Sequence, residues 1–227
     1  MLLICVRMHV LWLFLFLSSA QTSTYQVHAT TDAVKRIIAK AQGIPNRMEK
    51  LVFMFNEMGV SSGAEIGVWK GDMARAVLQG VPSIQKYYLV DPWKHQRDWN
   101  KPFNRDDKEF AEVYNMAMNA TEAWRDKREV LRGPSAEMSS KVPNNSLDFL
   151  YIDGDHTEKG TRTDVHSWWP KLRVGGAMYG DDFVDGFQHG TKFASTGVKS
   201  VVTRFAKTSR SPLYELAGLQ YVVFKVR

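Results

Sequence analysis

The sequence predicts an α/β protein: a doubly wound, mostly parallel seven-stranded sheet with N-terminal cap helices and an antiparallel C-terminal hairpin. Three observations carry that reading. From Thr31 onward, short apolar runs alternate with helical stretches in the order βαβαβαβ, and parallel strands need such crossovers. The tail breaks the alternation, because the apolar runs Pro212–Leu216 and Gln220–Val226 flank Gly218 and read as a closing hairpin. The 227 residues are 44% hydrophobic and 24% charged with one cysteine, which suits one large domain and excludes collagen-like, disulfide-framework and wholly disordered chains.

The elements follow from periodicity. Ile37, Ile38 and Ala41 give the apolar stripe of a helix over 32–42, and Met48, Leu51, Val52, Phe55 and Met58 that of a second over 46–58. A strand at Ala64–Gly67, a helix over 71–79 and a strand at Lys86–Asp91 come next. The polar segment Pro92–Asp107, with Trp93, Trp99 and Phe103, reads as a loop long enough to act as a lid. A helix over 107–125 follows, then a strand at Glu129–Arg132, a helix over 135–140, a strand at Leu147–Ile152, a helix over 158–170, a strand at Ala177–Tyr179 and a helix over 197–207.

Residues 1–20 differ in kind. Arg7 and His9 precede the apolar run Val10–Leu17, and Ser18, Ser19 and Ala20 supply small residues for cleavage. The expectation is a signal peptide over 1–20 and a single domain over 21–227, with a secretory or extracellular location. The alternative is a membrane anchor or organellar segment, which as a membrane span must recruit Leu2–Val6 past Arg7 to cross the bilayer. Cleavage removes Cys5, and with it any disulfide, thiolate metal site or cysteine nucleophile. The sequons at Asn119 and Asn144 matter only in a secretory lumen. The 30 Lys and Arg against 24 Asp and Glu, giving +6, are scattered without a zinc-finger or basic-helix pattern, so no nucleic-acid partner is expected.

In a doubly wound sheet, ligands sit beyond the carboxyl ends of the strands. After the first strand comes Glu65-Ile-Gly67-Val68-Trp-Lys-Gly71, whose glycines let backbone approach a ligand and whose Gly71 opens a helix N-terminus. No Gly-Lys-Ser/Thr follows and the third dinucleotide glycine is missing. Asp91, ending the second strand ahead of Pro92 and Trp93, stands where an acid accepts hydrogen bonds from ribose hydroxyls. Ser135 and Ala136 follow the third strand, where Ser135 caps the next helix or borders an adenine pocket. The fourth strand runs into Asp153-Gly-Asp155-His156 and the fifth into Asp181-Asp182. Carboxylates so crowded call for a cation, protons or lysines, and oxygen-only donors suit Mg²⁺ better than zinc. His156 titrates near neutral pH, and His189 is a second such candidate.

Taken together, these residues resemble the class I S-adenosylmethionine (SAM)-dependent methyltransferases. The likeness is to the small branch reading E-I-G-V-x-K-G, V-D-P-W, Y-I-D-G-D-H, W-x-P-K-L-x-x-G-G and D-D, here Glu65–Gly71, Val90–Trp93, Tyr151–His156, Trp169–Gly176 and Asp181–Asp182. The resemblance implies a SAM-dependent methyltransferase, expected to methylate the hydroxyl of a small-molecule acceptor. It implies that Gly67, Val68 and Gly71 contact the methionine end of the cofactor, with Glu65 supporting the loop. Asp91 would bind the ribose beside Pro92, Trp93 or Ser135–Ala136 would border the adenine, and Asp153 would lie near the sulfonium. In metal-dependent members of similar layout, positions matching Asp153, Asp181 and Asp182 hold Mg²⁺. Asp155 and His156, beside Asp153, depart from that pattern, and either Asp155 or His156 is expected to take the acceptor's proton. A homodimer is left open. A nicotinamide-dependent oxidoreductase and a non-catalytic secreted binding module are the competing readings.

Overall fold

Leu147–Ile152 is buried at every position, as a strand must be when helices cover both faces of its sheet. It is β4 of a computed structural model that describes residues 32–97, 99, 103–186 and 196–227. The expected signal peptide, Cys5 and His189 lie outside the described residues.

Ahead of β4 come α1 (Asp32–Gln42), α2 (Arg47–Met58), β1 (Ser62–Ile66), α3 (Asp72–Gly80), β2 (Lys86–Asp91), α4 (Asp107–Ala120), β3 (Arg128–Arg132) and α5 (Ser135–Ser139). After it come α6 (Glu158–Trp168), β5 (Leu172–Gly180), β6 (Asp185–Gly186), β7 (Thr196–Gly197), α7 (Val198–Ser209), β8 (Leu213–Leu216) and β9 (Gln220–Phe224). The sheet order is β3-β2-β1-β4-β5-β9-β8. β3, β2, β1, β4 and β5 are parallel, and β9 and β8 return antiparallel as the expected hairpin. Strand order reverses between β1 and β4, which opens the ligand crevice of such folds there.

Two apolar clusters sandwich the sheet. One joins Val34, Leu51, Phe55, Val77 and Phe110 of α1–α4 to Tyr87, Phe149, Tyr179, Val222 and Phe224. The other joins Met138, Val165, Trp168 and Val202 of α5, α6 and α7 to Ala64, Ile66, Leu150, Met178 and Val223. The alternation of strand residues between the two clusters fixes which side chains face which helices. Among the described residues no helix is long and apolar enough to cross a membrane.

The boundaries differ from expectation where side chains compete with periodicity. The helix expected over 107–125 stops at Ala120, because the hydroxyl of Thr121 donates to the Ala117 carbonyl and a 3-10 turn, Glu122–Trp124, follows. β5 begins at Leu172, five residues early. Gly175 and Gly176 keep it paired through a bulge, where a side chain at Gly176 would strike the carbonyls of Asp148 and Arg173. The short β6–β7 ladder carries no sequence signal at all.

Candidate active site

The loops after β1 and β4 touch at the strand-order reversal. Gly67 has φ +90°, and a Cβ there would lie 2.2 Å from the carbonyl oxygen of Asp153. Only glycine permits that approach. Gly71 forms the left-handed N-cap of α3 and lets α4 come close through Ala117.

Asp91 ties the neighbouring loop into the same crevice. Its Oδ2 accepts the backbone N–H of Val68 and of Trp69, each at 3.0 Å, and its Oδ1 accepts that of Trp93 at 2.7 Å. Burial pushes the carboxyl up from its ordinary pKa while these three donors pull it back. Among the described residues Oδ1 takes this one hydrogen bond, so it keeps acceptor capacity. Trp69, Trp93 and Asp182 all have positive φ, so three strained non-glycine residues ring the carboxyl edge of the sheet.

Trp93 is buried. Its indole donates to the Trp69 carbonyl at 2.8 Å and packs edge-on to Tyr114, which makes it a wall of the core rather than a surface exposed to ligand. Pro92 is half-buried beside it. Ser135 does not cap α5. Its hydroxyl donates to Asp164 at 2.5 Å and accepts the indole N–H of Trp168 at 2.9 Å, leaving Ala136 exposed at the rim. Asp164 is itself buried, and burial lifts its carboxyl to about 7. Glu65, fully enclosed, accepts the hydroxyl of Tyr87 at 3.0 Å and is pushed well up by burial, so it braces β1 from beneath. In the lid segment, Trp99 donates its indole N–H to Asp155 at 3.1 Å and Phe103 packs edge-on to Trp69.

At the ends of β4 and β5, Asp153, Asp181 and Asp182 come together as expected, with two cations between them. Arg47, the first residue of α2, reaches Asp153 with Nη1 at 3.0 Å and pairs with Asp181 through the same nitrogen. His156 faces Asp153 with Nε2 at 3.2 Å and Asp182 with Nδ1 at 2.9 Å. Burial opposes a charge on His156, but the bonds to Asp153 and Asp182 outweigh it and lift the imidazole to about 9. Asp155 accepts the N–H and hydroxyl of Thr157 as well as Trp99.

A methyltransferase-domain family profile matches residues 64–183. The chain belongs to that family. The methyltransferase matches none of the curated proteins compared with it. Solved structures share its fold. A Podospora anserina methyltransferase in SAH-bound form superposes with a TM-score of 0.58 at 12% identity, covering 87% of this chain and 89% of that one. A Bacillus cereus O-methyltransferase in complex with SAH gives 0.54 at 14%, covering 91% and 94%. A Corynebacterium glutamicum protein gives 0.56 at 17%, covering 88% and 94%.

The carboxylates of this corner are the candidate metal donors. Among the described residues no three His, Cys, Asp or Glu side chains form a metal-holding group. Asp153 and Asp181 turn oxygens to Arg47, while Asp153 and Asp182 turn oxygens to His156. As placed, the donor set does not fit a divalent ion, because the charge that would attract one is already neutralised.

Sequence reading missed Arg47, Lys50, Asp164 and Gln220. One signal was present. Arg47 and Lys50 fall on the apolar stripe of α2, four residues before Leu51 and Met54, and a cation on a buried stripe has to meet a partner. Lys50 is fully buried, its ammonium donating to the Ala217 carbonyl.

Proposed function

We propose that the methyltransferase transfers a methyl group from SAM to an oxygen of a small-molecule acceptor, in the crevice between the β1, β2, β4 and β5 ends. The junction of Asp91, Gly67 and Asp153 carries this reading. There the Asp91 carboxylate holds the loop after β1, and Gly67 lets that loop meet the backbone carbonyl of Asp153 at the end of β4. Val68 and Gly71 continue that surface, Asp91 offers its remaining lone pair to the ribose, and Ser135 and Ala136 border the adenine. Asp153, at the end of β4, lies near the sulfonium. The O-methyltransferase from Bacillus cereus, similar in fold, supports oxygen as the nucleophile.

The chemistry is an in-line displacement in which the protein aligns donor and acceptor and excludes water. The acceptor oxygen attacks the methyl carbon, the carbon–sulfur bond breaks, and its electron pair stays on sulfur. No step is routed through a metal, since the residues do not fit one. Isothermal calorimetry tests the cofactor assignment. SAM and its demethylated product are expected to bind at micromolar strength while NAD does not bind, and the reverse preference would overturn it.

A further inference from the structure

Near the Arg47–Asp181 pair stand buried polar side chains that the cofactor reading leaves unused. Gln220 is 1% exposed, yet neither atom of its side-chain amide has a hydrogen-bond partner among the described residues. Such a buried amide is costly unless something completes it. Gly180 pairs with Tyr221, so the register carries Gln220 to the level of Asp181. Alternation puts Gln220 on the face of Val222 and Phe224, toward α2. The Tyr179 hydroxyl, on that same face two residues before Asp181, is likewise buried without a partner. Lys50, one turn of α2 beyond Arg47, brings an enclosed ammonium to the β8–β9 turn, where it donates to the Ala217 carbonyl and feels the charge of Asp181. Among the described residues Arg47 engages Asp153 and Asp181 through Nη1, and its half-exposed fork keeps Nε and Nη2 for another partner.

Among the described residues, the candidate bases of this corner are already engaged. Both ring nitrogens of His156 face carboxylates. Asp155 takes three donors, and Asp153 takes Arg47 and His156.

Building on the methyltransferase reading, we infer that the acceptor is a carboxylate, held by Arg47, Lys50 and the amide of Gln220, and that the product is its methyl ester. One carboxylate oxygen attacks the methyl carbon, the carbon–sulfur pair goes to sulfur, and the sulfonium and carboxylate charges cancel. No proton has to leave. This replaces the hydroxyl acceptor and the proton-accepting role of Asp155 or His156 expected from sequence, and it gives Arg47 the position a metal would take.

Two readouts on the full chain test the inference separately from the cofactor assignment. Calorimetry without turnover compares benzoate and butyrate with benzamide and butyramide. The acids are expected to bind and the amides not, with Lys50→Met and Gln220→Leu each weakening the acids by about tenfold or more. Gln220→Leu also removes the unsatisfied amide, so its melting temperature is expected to hold or rise while acid binding falls. Acids that bind no better than amides, or Gln220→Leu that binds acids as wild type does because water already completes the amide, would overturn the inference whatever the cofactor does. The second readout supplies SAM carrying a labelled methyl group together with the same acids. Label released as methanol by mild alkali, unaffected by a chelator, is expected. Alkali-stable label, or turnover lost to the chelator and restored by Mg²⁺, would overturn the carboxylate assignment and leave the methyltransferase reading standing.

Discussion

Oδ2 of Asp91 lies 3.0 Å from the backbone nitrogen of Trp69, so the end of β2 fixes the loop that follows β1. The neighbouring N–H of Val68 shares that oxygen, and Trp93 bonds the other. Asp91→Ala leaves three donors without an acceptor and is expected to cost about 3 kcal/mol or more of stability. Asp91→Asn turns an N–H₂ toward donors and should also fall short of wild type. Urea denaturation measures the stability, and calorimetry should show SAM affinity down by about tenfold or more.

Gly67→Ala is expected to be worse than Gly71→Ala. The new methyl at position 67 would lie 2.2 Å from the Asp153 carbonyl oxygen, whereas at position 71 the nearest atom is the Ala117 Cα at 3.0 Å. Both sites have positive φ, so both lose about 1 kcal/mol to backbone strain. The clash with fixed backbone should cost Gly67→Ala roughly another 1–3 kcal/mol. Thermal melts of the two variants side by side check the ranking.

Asp164 sets a pH dependence. Burial raises its carboxyl from an ordinary 3.8 to about 7, so between those values the folded chain holds a proton the unfolded chain releases. Its contribution to stability therefore declines as pH rises through that window and stays low above it. Asp164→Asn keeps an acceptor for the Ser135 hydroxyl and removes the titration. The variant should match wild type near pH 4 and exceed it by a few kcal/mol at pH 8 in denaturant titrations.

Asp148 behaves in the opposite sense. Burial would raise its carboxyl, but N–H groups of Ser61 and Ser62 and the Arg173 guanidinium hold it below the ordinary value. Its contribution is complete above the ordinary carboxylate range and is lost as pH falls through the depressed value. Asp148→Ala is expected to cost about 3 kcal/mol at neutral pH. Asp148 sits at the start of β4, away from the crevice, so SAM affinity in the folded variant should not change. A stable variant with lost affinity would contradict this placement.

The strands and their order of chemistry were legible because a strand buried on both faces has to be apolar and a crossover has to be helical. Leu147–Ile152 and the hairpin runs show this directly. The motif residues were legible for a related reason. Gly67 and Asp91 end apolar strands, where a glycine and an acid stand out in the sequence, although the atoms they meet, the Asp153 carbonyl and the N–H groups of Val68 and Trp69, lie far along the chain. Trp93 and Ser135 were less so, because an aromatic or a hydroxyl beside a strand end points inward or outward according to partners far along the chain. Here those partners are Tyr114 for the one and Asp164 and Trp168 for the other.

By itself, the sequence determined the doubly wound sheet and the family, since periodicity and short-range turn chemistry act between neighbours in the chain. Only tertiary structure decided what balances the acids. Arg47 meets Asp153 across 106 positions and Asp181 across 134, and no spacing rule spans such distances. Gln220 likewise becomes a buried, incomplete amide only once β9 docks beside β5. Charge neutralisation acts through space, and the fold alone brings those charges within reach of one another.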